Sequence, residues 1–94
     1  MDLSTAAEST RESRLAFLRS ELEISLTFAR MALDSRDDTE KMERNRQNAR
    51  KGYESFVHFS KQQDFHEIST EVRRSLEAQF QDLRAALLQL GETL

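Results

Sequence analysis

The sequence predicts an all-α fold, an antiparallel up-down-up three-helix bundle. Three observations predict it. The 94 residues contain no proline and only two glycines, while Leu, Ala, Glu, Arg and Gln, which favour helices, are abundant. Apolar residues recur every three or four positions in three segments, the spacing of one helix face. Three helix-start patterns, at Ser9/Glu12, Asp37/Glu40 and Asp64/Glu67, divide the chain into segments of similar length. The expected helices span about 9–34, 38–62 and 65–90 of a single domain, 9–91. Residues 1–8 are expected to fray or to extend the first helix weakly, and 92–94 to form a tail.

The first helix is the organising element. One stripe runs Leu15, Leu18, Leu22, Leu26, Ala29 and Leu33, and a second runs Phe17, Ile24, Phe28 and Met31. Two stripes predict two covering neighbours, because a surface helix needs only one apolar face. Ser9 and Glu12 form a capping box at its expected start. Its expected end is the run Asp34-Ser35-Arg36-Asp37-Asp38, whose side chains compete for backbone hydrogen bonds.

The second helix, from Thr39 to about Lys61, carries Met42, Ala49, Tyr53, Phe56 and Val57. Its first half is thinly anchored, leaving Phe28, Met31 and Ala32 short of cover unless the third helix or a second copy supplies it. Gly52 costs about 1 kcal/mol relative to Ala in mid-helix. That cost predicts a close helix crossing there, opposite a bulky residue such as Phe28. The third helix carries Ile68, Val72, Leu76, Phe80, Leu83, Leu87 and Leu90, with Ser69 as a competing start. Gly91 stands where a left-handed C-terminal glycine belongs.

Composition narrows the function. A net charge of −3 gives no global attraction for nucleic acid. No apolar run approaches the ~20 residues of a membrane span, and the N-terminus lacks a signal-peptide pattern, so a cytoplasmic protein is expected. The absence of cysteine removes thiol chemistry. His58 has Glu54 one turn earlier, and His66 lies between Asp64 and Glu67, but neither set supplies a third ligand at metal spacing. No HExxH, GxSxG or phosphate-binding glycine loop is present. No catalytic residue, cofactor or metal site is therefore expected, and the protein reads as a non-enzyme.

Two surfaces remain. Lys41, Arg44, Arg46, Arg50 and Lys51 form the one local basic segment, with no aromatic residue interleaved to stack bases. Phe59, Phe65, Leu88 and Leu94 lie off the core stripes, Phe28 and Met31 are short of cover, and Phe28, Met31, Phe59, Phe65 and Leu88 are candidates for a protein-contact surface. The reading that follows is a small interaction or assembly module whose partner is a protein, either a second copy or another helical chain. The runner-up is a nucleic-acid-binding or regulatory protein using the basic face of the second helix.

The stretches SLTFARMA and NARKGYESFVHF resemble a single tetratricopeptide-like helical hairpin over about residues 22–60, with Ala29, Ala49, Tyr53 and Phe56 at matching positions. The WxxLG start and the closing proline of that family are missing, and one copy stands where stable arrays stack several. The chain also resembles short uncharacterised bacterial all-helical proteins. The resemblance implies a helical protein-binding module and carries no functional residues with it.

Overall fold

The computed structural model describes residues 3–94, with side-chain surroundings from Thr10 onward. Every regular element in it is a helix: α1 (Leu3–Asp34), α2 (Thr39–Ser60), α3 (Gln63–Glu67) and α4 (Thr70–Gln89). The all-α class is thus shown, with four helices in place of the expected three. At 32 residues, α1 is about 48 Å long, and it sets the elongated 55 × 22 × 17 Å shape.

The start of α1 differs from the sequence expectation. Residues from Leu3 are already helical, so Ser9 and Glu12 lie inside the helix and begin nothing. Propagation adds a backbone bond for each residue fixed, and Ala6, Ala7 and Glu8 favour it. Of the segment 1–8 expected to fray, Met1 and Asp2 lie outside the described residues.

The turn between α1 and α2 closes through Ser35 N–H to the Ala32 carbonyl (3.1 Å) and Asp38 N–H to the Ser35 carbonyl (2.9 Å). Asp38, one residue later than expected, caps α2 by accepting from the Lys41 N–H at 3.1 Å. The two helices run antiparallel. Ser55 donates to the Glu21 carboxylate at 2.8 Å, and Gly52 lies against Ser25. The close crossing therefore exists, but its opposite member is Ser25 and not Phe28. Small buried residues (Ser25, Ala29 and Ala32 on α1, Ala49 and Gly52 on α2) let the two backbones approach.

The expected third helix is broken at Ile68 and Ser69, both extended. Ser69 caps α4, accepting from the Val72 N–H at 3.2 Å. Asp64 and Glu67 cap nothing; they hold Arg14 (3.1 Å) and Arg11 (2.8 Å) and so tie α3 to α1. The break lets α3 fold over the end of α2 and drive Phe65 inward. Phe65 meets Phe56 and Phe59 edge-on, each with ring centroids 5.9 Å apart, while Phe56 stacks on Phe80 at 4.3 Å and Tyr53 stacks on Phe80 at 5.0 Å. Between the helices Leu22, Leu76, Leu83 and Leu87 are fully buried, each worth about 1.5–3 kcal/mol against exposure.

Gly91 ends α4 at φ +88°. Its N–H reaches the Leu88 carbonyl, and the Glu92 N–H reaches the Leu87 carbonyl, the paired bonds of a left-handed glycine cap. The three residues expected to form a tail are folded back. Glu92 is buried, and Leu94 packs against the core.

Candidate protein-interaction surface

The burial of α1 explains where a surface could form. Its inner face, from Leu15 through Leu22 to Leu33, meets both α2 and α4. The second stripe is not covered. Phe17 is 70% exposed, Ile24 57% and Met31 41%, while Phe28 is half-buried at the edge of the core. The expectation of two covered stripes is therefore corrected. Residues such as Leu18, Ser25 and Ala29 form one broad buried face, and both neighbouring helices use it. Phe17, Ile24 and Met31 stand seven residues apart, on one line along the outside of the helix.

The sequence candidates divide accordingly. Phe59 and Phe65 are buried in the aromatic cluster and are not surface residues. The chain reversal at Ile68–Ser69 is what turns Phe65 inward. Met31 and Leu88 are exposed, Leu88 on α4 by itself. Phe17 and Ile24, assigned by periodicity to the interior, are the most exposed large apolar residues among those described. The signal for the line was their heptad spacing with Met31.

The basic segment also divides. Arg46 and Arg50 both grip the buried carboxylate of Glu92; Arg46 also holds Glu43, and Arg50 holds Glu54 at 3.1 Å. The hydrogen bond from Arg46 holds the Glu43 carboxyl below its ordinary range, so that contact is lost as pH falls through the lowered value. The same bond raises the guanidinium of Arg46, and the bond from Glu54, followed by the charge of Glu92, raises that of Arg50. These two arginines are structural cations that lock the C-terminus. Glu21 of α1 takes no part in this pairing and accepts from Ser55 instead.

Lys41, Arg44 and Lys51 are exposed, and their side chains make no ion pair among the described residues. Arg44, Lys51 and His58, again seven apart, form a line along α2. With Glu21 level with Ser55 and Ser25 level with Gly52, the antiparallel register sets Met31 level with Arg44 and Ile24 level with Lys51. Phe17 and His58 line one cleft of about 420 Å³, floored by Leu18 and Phe59. The outer face of the α1–α2 hairpin thus carries an apolar ridge beside a basic one.

The candidate histidine chemistry does not assemble. Glu54, the proposed neighbour of His58, is occupied by Arg50, and His66 lies edge-on to Phe65 with ring centroids 5.7 Å apart. Among the described residues no group of three His, Cys, Asp or Glu is placed to hold a metal ion, and no helix is long and apolar enough to cross a membrane. No family model, curated protein or solved structure matches this chain.

Proposed function

We propose that this protein is a non-enzymatic helical module that binds another protein, and that α1, α2 and α4 act as an up-down-up three-helix bundle with α3 as a plug at one end. The observation that supports the reading is the line Phe17, Ile24 and Met31, large apolar side chains left in solvent on an otherwise packed helix. Scattered apolar residues are ordinary on a surface, but an aligned row invites a partner. The resemblance of the α1–α2 region to a tetratricopeptide-like hairpin points the same way. The nucleic-acid alternative has less to draw on, since within the basic segment of α2 Arg46 and Arg50 are engaged by acids and Lys41, Arg44 and Lys51 are left to meet phosphate.

A photo-cross-linking residue at position 24, in the full chain expressed in its own host, tests the reading. A discrete adduct is expected there, absent with the same residue at Ala85 on the exposed side of α4 and abolished by Phe17→Ser with Met31→Ser. No adduct at position 24, or one indifferent to those substitutions, would overturn it.

A further inference from the structure

We infer that the outer face of the α1–α2 hairpin receives an amphipathic helix with an acidic flank from another protein, which rests on the interaction-module reading and specifies its partner. The face is two-ridged. Phe17, Ile24 and Met31 form one ridge, about 21 Å long at 1.5 Å per residue, and Arg44 and Lys51, with His58 at the end, form the other. Glu21, hydrogen-bonded to Ser55, lies in the groove between them. A helix laid along such a groove meets both ridges at once, setting its own apolar stripe on the first and its flank on the second. Glu21 is taken by Ser55, and among the described residues no acid forms an ion pair with Arg44 or Lys51, so the complementary flank is acidic.

Symmetry argues against a second copy as occupant. A two-fold axis across the helices sets apolar ridge on apolar ridge but also cation on cation. An axis along the helices sets each apolar ridge on the partner's cations. Either pairing leaves Arg44 and Lys51 unmatched. A bilayer surface fits less well than a helix: the apolar residues are a single row beside a concave cleft, which a side chain can enter and a flat interface cannot fill.

The test uses the full chain and two helix-stabilised peptides of about 18 residues, long enough to span about 27 Å. Both carry the same leucine stripe; one has a glutamate flank and the other a lysine flank. By fluorescence anisotropy at low salt, the glutamate peptide should bind at least about tenfold tighter, with the difference shrinking as salt screens the pairing. Arg44→Glu with Lys51→Glu should reverse the order, and Ile24→Asp should abolish binding of both. Equal binding of the two peptides, lost in Ile24→Asp, would overturn the acidic partner while leaving the interaction module standing. Binding of neither peptide would overturn the inference. So would a dimer by light scattering that Ile24→Asp dissolves, which assigns the face to a second copy. Sedimentation with phosphatidylserine vesicles in preference to the glutamate peptide would overturn it in favour of a membrane surface.

Discussion

The middle of the α1–α2 seam and the end of the molecule around Phe65 solve the same problem in opposite ways. At the seam, Ser25, Ala29 and Ala32 face Ala49 and Gly52, and the backbones come together with almost no side chain between them. At the α3 end four phenylalanines with Tyr53 fill the space between the helices. A close seam leaves no room for bulk, so the large residues of α1 that flank it stay outside, as Ile24 and Met31 do. The other end draws bulk in, and it takes Phe65 from the short helix α3. The exposed apolar residues beside the seam are therefore a consequence of how tightly the seam packs.

The largest effect expected from breaking this contrast is at the α3 end. Phe65→Ala removes the ring that joins Phe56 to Phe59 and leaves a cavity under α3, at a cost of about 3–4 kcal/mol. Chemical denaturation should show that loss. A loss under about 1 kcal/mol would mean that α3 does not plug the core. The cation over the Phe65 ring, Arg73 at 5.9 Å, should lose its ordering as well.

A smaller effect, opposite in origin, is expected at the seam. A Cβ on Gly52 would stand 2.0 Å from Ser25 Oγ and 2.5 Å from Ser25 Cβ. The hydroxyl could rotate away, but the Cβ is fixed to the backbone, so the helices must separate. Overpacking of this kind costs about 1–3 kcal/mol, and the better helix propensity of alanine returns about 1. Gly52→Ala should therefore destabilise by up to about 2 kcal/mol. Ser25→Gly should cost less in the Gly52→Ala background than in the native chain, because it removes the obstructing atoms. A rise in melting temperature for Gly52→Ala alone would show that the seam has slack.

What was legible in the sequence follows the same division. Periodicity located the inner stripe of α1, the stripe of α4 and the left-handed Gly91, because each depends on neighbours three or four residues away. It located Phe17 and Ile24 on the helix but could not say whether a neighbour would reach them; that depends on the width of the buried face, set by Gly52 and Ser25 on different helices. The break at Ser69 competed with Asp64 as a cap, and in the fold Arg11 and Arg14, fifty or more residues upstream, take Glu67 and Asp64. The role of Arg46 and Arg50 was hidden for the same reason. Their acid, Glu92, arrives only after α4 has turned back along α2.

The smallest effect is the most informative for function. Phe17→Ser and Ile24→Gln change residues that touch little within the fold, so each should alter stability by no more than about 0.5 kcal/mol. Serine equals phenylalanine in helix propensity and glutamine is no worse than isoleucine, and a side chain exposed in the folded and unfolded chain alike adds little hydrophobic free energy to the difference between them. Equilibrium denaturation of the isolated protein, set beside Phe65→Ala, separates two uses of an aromatic side chain. Phe65 is held by what it does for the fold, whereas Phe17 stands on a surface where the fold gains nothing from it. A loss of more than about 1 kcal/mol on Phe17→Ser would show that the ridge already serves the monomer, beyond the range expected of a surface position, and would remove the reason to look for a partner there.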